Sequence, residues 1–317
     1  MPPSILVAAS TGNTGASVVE TLSQLVDANQ AFAGYQILAL TRDKNGAAPQ
    51  QFTKLPHVQV LEKSYTEITA SWLRQHEVKR SFLAPQASLQ HFSEESEFNV
   101  ALLIAGVEYH VRIATAPMNL RSNNPAFYTR SHWAVEQQLS APEFEALLWT
   151  SIRPNLFMTD YLRNAVGFVK RFRETGKQGT LRLAIAEDMP FPVVHPGDVG
   201  VVAAHLLMSE SPAVYNRGRY TLNGPEDITG ADTLKLVEQA IGTKVNEVRY
   251  KDTSLFDSTV QSAVEAGVSK NLVSTLYTSF DAAWQGEWKD WPTSEPLVKL
   301  GIPQKRIADV FDAVIDS

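Results

Sequence analysis

The chain has 317 residues, of which 44% are hydrophobic and 20% charged, and its formal net charge is −6 at pH 7. This composition is ordinary for a globular protein, and the acidic balance argues against a dominant nucleic-acid-binding face. Without cysteine the chain forms no disulfide, zinc–thiolate site or thiol nucleophile. No apolar run reaches the roughly 20 residues of a membrane span, and no signal-type segment opens the chain, so we expect a cytoplasmic protein without a membrane partner.

The N-terminal stretch predicts a strand, a glycine turn and a helix. Residues 5–9 are an apolar run bounded by turn residues, and an apolar stripe at helical spacing begins at Val18, where a third fingerprint glycine would fall. In this order, backbone N–H groups at a helix N-terminus can approach a pyrophosphate, with Gly12 allowing the tight turn and Gly15 the close approach. An ordinary strand–helix turn is the alternative. The predicted cofactor contacts in the turn are Gly12, Asn13, Thr14 and Gly15.

Strands and helices continue to alternate along the first half of the chain, which indicates a parallel sheet covered by helices on both faces. The further predicted strands cover residues 35–40, 57–61, 81–85, 109–114 and 145–152, and a helix is predicted over 66–76.

The segment STGNTGASVV resembles the opening of the NmrA-like group of atypical short-chain dehydrogenases/reductases, and RPNLFMTDYL resembles a later segment of the same group. The resemblance implies an α/β fold, with a Rossmann-type doubly wound parallel sheet and a smaller, mostly C-terminal substrate lobe. It implies an NADP-binding domain over residues 1–155, completed by parts of 180–225, and a substrate lobe over most of 156–317.

Arg42 directly follows the second predicted strand. At this point of a Rossmann fold an acid binds the ribose of NAD, whereas an arginine accommodates the 2′-phosphate of NADP. Arg42 therefore favours NADP(H), although Asp43 comes next and a solvated loop arginine is the alternative. The resemblance adds further cofactor contacts after the fourth and sixth strands, at Pro85, Pro154 and Asn155.

The resemblance also implies a catalytic group. In short-chain dehydrogenases a Ser or Thr ends the fifth strand, and a tyrosine and a lysine four residues apart follow on the next helix. The matching positions are Thr115, Tyr128 and His132, so a histidine stands in the lysine position. Four residues are about one helical turn, so Tyr128 and His132 share a face. We predict Tyr128 as the acid and His132 as a catalytic or cofactor contact, with a packed helix face as the alternative. If His132 acts through its charge, activity should fall as the pH rises through its pKa.

The substrate cavity is predicted after the sixth strand. The resemblance places Phe157, Met158 and Tyr161 in its wall, with core packing as the competing account of Phe157 and Met158. Trp284 and Trp288 belong to an aromatic-rich stretch that forms either a lid over the cofactor or a small helical core.

No metal site is predicted from the sequence. No pair of acids or histidines has metal-ligand spacing in a pocket-like context. His91, with three other histidines, is interpreted as a loop or surface-helix residue.

Together these features predict an NADPH-dependent reductase of a small carbonyl, quinone or conjugated apolar or aromatic compound, with the proton coming from Tyr128 or water. The alternative is a non-catalytic NADP(H)-binding redox sensor that binds a protein partner, as NmrA itself does. Replacement of the lysine by His132 is the kind of change expected in a relative that has lost catalysis. An isomerase or lyase that uses bound cofactor is a third hypothesis, because a fold does not specify a function.

Overall fold

The computed structural model describes residues 1–86, 88–300 and 304–316. In chain order the strands are β1 (Ser4–Ala8), β2 (Gln36–Thr41), β3 (Val58–Glu62), β4 (Val78–Leu83), β5 (Tyr109–Ile113), β6 (Leu148–Pro154), β7 (Leu156–Phe157), β8 (Leu181–Arg182), β9 (Phe191–Val194), β10 (Gly218–Leu222), β11 (Asp227–Ile228) and β12 (Val248–Arg249). The α-helices are α1 (Gly15–Ala28), α2 (Ala47–Phe52), α3 (Ala70–Gln75), α4 (His91–Ala105), α5 (Phe127–Ser140), α6 (Met158–Thr175), α7 (Pro196–Leu207), α8 (Gly230–Ile241), α9 (Asp257–Glu265), α10 (Lys270–Val273), α11 (Asp281–Trp284), α12 (Glu295–Val298) and α13 (Ile307–Ile315).

Seven parallel strands form the central sheet, in the order β10–β6–β5–β4–β1–β2–β3. The core on one face includes side chains of α1, α2 and α7, and the core on the other face includes side chains of α3, α4 and α5. The strand order reverses between β1 and β4, which is where ligands bind in open sheets of this kind. The predicted Rossmann-type, doubly wound sheet is confirmed.

Burial on both faces explains the strand sequences. Every residue of β1 and of β5 is buried, as parallel strands covered on two sides require. The stripe of α1 packs against this sheet, and Val18 is fully buried. Burying each side chain of this size contributes about 1.5–3 kcal/mol. Val18 is thus a core residue at a point where the dinucleotide fingerprint would place glycine.

After β6 the chain leaves the sheet and later returns to it. Strands β7, β9 and β11 form a three-stranded sheet, and β8 pairs with β12. Helices α6, α8 and α13 contribute to a separate apolar core beside these strands. Strand β10 then rejoins the central sheet beside β6. The C-terminal half therefore contributes both to the central sheet and to the smaller lobe.

The prediction of one helix over residues 66–76 is wrong. A short 3-10 helix covers Tyr65–Glu67, and α3 begins only at Ala70. Thr69 has an extended backbone, and its Oγ1 accepts a hydrogen bond from the Trp72 N–H at 3.2 Å. This is an N-cap, which starts a new helix rather than continuing an old one. Among the described residues no helix is both long and apolar enough to cross a membrane.

Candidate functional site

The turn after β1 differs in one detail from the sequence expectation. The left-handed residue is Ala9, with a φ of 63°, and not Gly12. Alanine rarely adopts this conformation because its Cβ crowds the backbone. A Cβ at Gly15 would lie 2.2 Å from the Ala9 carbonyl oxygen, whereas one at Gly12 would meet nothing nearer than 3.6 Å. Gly15 is therefore needed for the close approach of two backbone segments, and the sequence pattern missed the strained residue, Ala9.

Arg42 lies beside this turn at the end of β2. Ser10 donates both its N–H and its hydroxyl to the Leu40 carbonyl, at 3.2 and 2.7 Å, which ties the turn to β2. The Arg42 side chain is exposed and has no ion-pair partner among the described residues. Asp43 is occupied in its own loop, where its Oδ1 accepts the Asn45 N–H at 2.9 Å. The strand end thus offers a cation to an anionic ligand, while the acid that follows it in sequence is engaged locally.

A cavity of about 500 Å³ lies at the carboxyl ends of β5 and β6. One part of its wall is polar, and the rest combines aromatic, aliphatic and charged side chains. The polar residues of this part include Thr115, Asn119, Tyr128, Asn155 and Ser279, and the aromatic ones include Phe157, Phe191, Phe256 and Phe280. The cavity also borders two arginines of the smaller lobe, each paired with an acid: Arg163 with Asp160 at 2.6 Å, and Arg182 with Asp252 at 2.7 Å.

The structure brings Thr115 and Tyr128 together in this wall. Thr115 follows the end of β5, and Tyr128 lies in the first turn of α5. Burial raises the pKa of Tyr128, and hydrogen bonds with Thr115 and Ser279 oppose that rise. Thr115 and Tyr128 were predicted from the family pattern. Ser279 was missed, because it comes from the C-terminal lobe and no local motif marks it.

His132 lies one turn along α5 from Tyr128 but faces the protein interior. Its Nδ1 is 3.1 Å from an Nη of Arg112, a buried residue of β5. Arginine can only donate, so Nδ1 accepts and the neutral ring carries its proton on Nε2. Burial, together with the neighbouring His91 and Arg112, holds the pKa of His132 well below its usual range. His132 is therefore neutral at physiological pH, and the expectation that it acts through a titrating charge is not supported.

The positive charge near His132 belongs to a buried ion pair. Arg112 donates from Nε and Nη2 to the two carboxylate oxygens of Glu95, at 2.6 and 2.9 Å, and His91 Nε2 lies 2.6 Å from Glu95 Oε2. Although burial acts to raise it, these partners hold the pKa of Glu95 below its usual range. The interpretation of His91 as a loop or surface residue is wrong, since it is fully buried at the start of α4.

His91, Glu95 and His132 place potential metal-ligand atoms within 4.8 Å of one another. Spacing along the chain did not reveal this group, because His132 comes from a different helix. The guanidinium of Arg112 already contacts both Glu95 and His132. A cation would have to displace it, so we assign the group to the buried ion pair.

Three of the predicted substrate residues lie outside the cavity wall. Met158 is fully buried in the core of the smaller lobe. Trp284 donates its Nε1–H to the Ala184 carbonyl at 2.9 Å, and Trp288 packs edge-on against Phe191. These tryptophans support the wall from behind, and Phe256 and Phe280 provide aromatic surface instead.

The other predicted contacts lie at or near the strand ends. Phe157 and Tyr161 are in the wall, and Tyr161 shares a hydrogen bond with Thr233. Pro154 and Asn155 border the cavity at the end of β6, while Pro85 is half-buried after β4 and outside the cavity wall.

A model of the NmrA-like family matches residues 1–287. The chain belongs to the NmrA-like family. Among solved structures, this NmrA-like protein is similar to an NADPH-dependent quinone oxidoreductase from Escherichia coli complexed with NADPH, with a TM-score of 0.70 and 19% identity, covering 98% of this chain and 99% of that one. It is also similar to the triphenylmethane reductase of a Citrobacter species complexed with NADP(H), with a TM-score of 0.68, 20% identity and the same coverage. Structural similarity at such low sequence identity shows a shared fold and nothing more.

A curated relative matches part of the chain. Agroclavine dehydrogenase of Claviceps fusiformis is 26% identical over 155 residues, which are 48% of this chain. The NmrA-like chain thus spans about half (51%) of the length of this relative.

Proposed function

We propose that this protein is an NADPH-dependent reductase of a small carbonyl, quinone or conjugated compound. The observation that carries the proposal is the position of Tyr128 beside Thr115 at the polar part of a cavity that also presents aromatic side chains. A tyrosine held there can give a proton to a substrate oxygen, and general acid catalysis of this kind typically contributes about 10²–10⁴-fold. The NADPH-dependent names of the similar structures support the same chemistry.

The residues around the glycine turn fit NADP(H). The turn lies at the N-terminus of α1, a preferred place for a pyrophosphate, with Gly12 leaving room for backbone approach. Asn13 and Thr14 complete the turn, and Arg42 offers the cation for a 2′-phosphate. Pro85, Pro154 and Asn155 border the route from this turn to the cavity along the strand ends. Bound there, NADPH supplies the hydride for the substrate carbon.

The cavity supports a substrate with an apolar or aromatic body. Its volume lies in the usual range of small-ligand sites, about 300–1,000 Å³. Apolar side chains such as Phe157, Phe256 and Phe280 bury such a body, while Thr115 and Tyr128 bind the substrate oxygen that takes up the proton.

The second candidate function is a non-catalytic NADP(H)-binding redox sensor with a protein partner. The neutral His132 favours it, because the cation that usually assists the catalytic tyrosine is replaced. NADPH oxidation against a panel of quinones, ketones and enones separates the two functions. We expect turnover above background that falls in Tyr128→Phe. Tight NADPH binding without turnover on any compound would favour the sensor.

Cofactor preference is tested separately by calorimetric titration with NADPH and NADH. A charge-assisted phosphate contact contributes about 1.5–3 kcal/mol, so we expect at least about a tenfold preference for NADPH. Arg42→Ala should remove this preference. Equal affinities in the wild type, or an unchanged preference in the variant, would refute the role of Arg42.

A further inference from the structure

Ser279 is a cavity residue that the catalytic pattern of the wider family does not contain. It follows the 3-10 helix Ser274–Thr278 of the C-terminal lobe and borders the same polar part of the cavity as Thr115 and Tyr128. Its hydroxyl and that of Thr115 border the cavity beside the Tyr128 phenol, and both act to lower the pKa of Tyr128 against the effect of burial. The phenol of Tyr128 thus lies between one hydroxyl from the central sheet and one from the C-terminal lobe.

Hydrogen bonds hold the Ser279 segment against α5. The N–H of Phe127, the first residue of α5, donates to Thr275 Oγ1 at 3.1 Å. The amide of Asn119, another residue of the polar wall, donates to the Ser279 carbonyl at 3.5 Å. These contacts join the lobe directly to the helix that carries Tyr128.

The proton of the Ser279 hydroxyl is already used by a backbone carbonyl. Ser279 Oγ donates to the Leu276 carbonyl at 2.6 Å. A serine hydroxyl has a single proton, so none is left to donate to Tyr128 in this arrangement. If Tyr128 becomes a phenolate, the Ser279 proton can turn from Leu276 towards it.

The Tyr128 phenolate needs such a hydrogen-bond donor, because the position of the usual lysine holds His132, which is neutral. We propose that Ser279 is a positioning residue that stabilises the Tyr128 phenolate formed during turnover, a role that rests on the reductase function proposed above. Thr115 and Ser279 together then do with two neutral donors what a lysine does with a charge in the wider family.

Tyr128 loses its proton to the substrate during reduction. Two-electron reduction leaves negative charge on the substrate oxygen. The Tyr128 O–H bond breaks, a new O–H bond forms on the substrate, and the electron pair stays on the phenol oxygen. Ser279 turns its hydroxyl to donate to this oxygen. After product release, water returns a proton to Tyr128, and Ser279 again donates to Leu276.

The kinetic test compares Ser279→Ala with Ser279→Thr, which keeps the hydroxyl. Thr278→Ala is the matched control, because Thr278 makes the same kind of hydrogen bond, to the Thr275 carbonyl at 2.7 Å, without bordering the cavity. A hydrogen bond to a charged group predicts a loss of kcat of about tenfold or more in Ser279→Ala, with KM and NADPH affinity unchanged. Ser279→Thr should recover most of it, and Thr278→Ala should match the wild type.

A double-mutant cycle tests whether Ser279 acts through the phenol. In a Tyr128→Phe background, Ser279→Ala should cause no further loss of kcat. Unchanged kcat in the single variant, or an equal loss in both backgrounds, would overturn the proposal.

A spectroscopic test needs no turnover. In cofactor-free protein with ¹³C at the tyrosine Cζ, the Tyr128 resonance is assigned by its absence in Tyr128→Phe. It should move in Ser279→Ala and stay in place in Thr278→Ala. A resonance unmoved by Ser279→Ala overturns the contact and the proposal with it. A moved resonance in a protein that reduces no compound overturns the reductase function, and the role of Ser279 falls with that function.

Discussion

His110 should make the protein labile in mild acid. It lies on β5, is fully buried, and shares a 2.8 Å hydrogen bond between its Nδ1 and Ser81 Oγ. Its Nε2 is buried without a hydrogen-bond partner in the described part of the chain. Burial lowers the pKa of His110 from 6.5 to about 4. The protonated ring is therefore much less stable inside the sheet than in water.

The direction and size of the effect follow from this pKa. The unfolded chain takes up the proton near pH 6.5, well before the folded chain does, so falling pH favours unfolding. The contribution of neutral His110 to stability is complete above pH 6.5 and is lost as the pH falls to about 4. At 1.36 kcal/mol per pH unit, the difference between 6.5 and about 4 amounts to about 3 kcal/mol.

The assay is urea unfolding of wild type and His110→Gln at several pH values from 7.5 to 4. Carboxylates titrate in both proteins, so the difference between their free energies of unfolding isolates His110. We expect this difference to shift by about 3 kcal/mol in favour of the variant across the range. Parallel losses of stability in His110→Gln and wild type would refute the reasoning.

Further predictions concern the turn and the acid. Ala9→Gly should stabilise the protein by about 1 kcal/mol in urea unfolding, since it relieves a left-handed alanine, whereas Ala8→Gly in β1 should destabilise it. Gly12→Val should abolish NADPH binding in calorimetry, because a side chain there would block the approach of the pyrophosphate to the turn. The circular dichroism spectrum should be retained, since a Cβ at Gly12 meets nothing nearer than 3.6 Å in the protein. Normal NADPH binding in this variant would place the pyrophosphate elsewhere. Tyr128→Phe should lower kcat about 10²–10⁴-fold with near-normal NADPH affinity, and full turnover would make the tyrosine a packing residue. Activity should stay level between pH 6 and 8, because His132 is already neutral; a fall through pH 6.5 would show that its ring is charged.

Local sequence patterns were sufficient for much of this protein. Strand, glycine turn and helix follow one another within residues 4–28, and Arg42 is adjacent in sequence to β2. The family spacing led to Thr115 and Tyr128, which border the same cavity. These features depend on neighbours along the chain, on the periods of helix and strand, and on the rule that parallel strands end at one edge.

The rest depends on contacts between residues far apart in sequence. Ser279 and Phe280 reach the cavity from the C-terminal lobe. The buried Arg112 donates to Nδ1 of His132 and so keeps its ring neutral, whereas the sequence suggested a charged side chain at this position. Ala9 adopts a left-handed backbone, and its carbonyl lies where only a glycine at position 15 leaves room, which the residue types alone do not predict. Periodicity tells which side of a helix is buried. It does not tell which distant side chain covers that side, and this pairing sets the pKa and hydrogen-bond direction of the site.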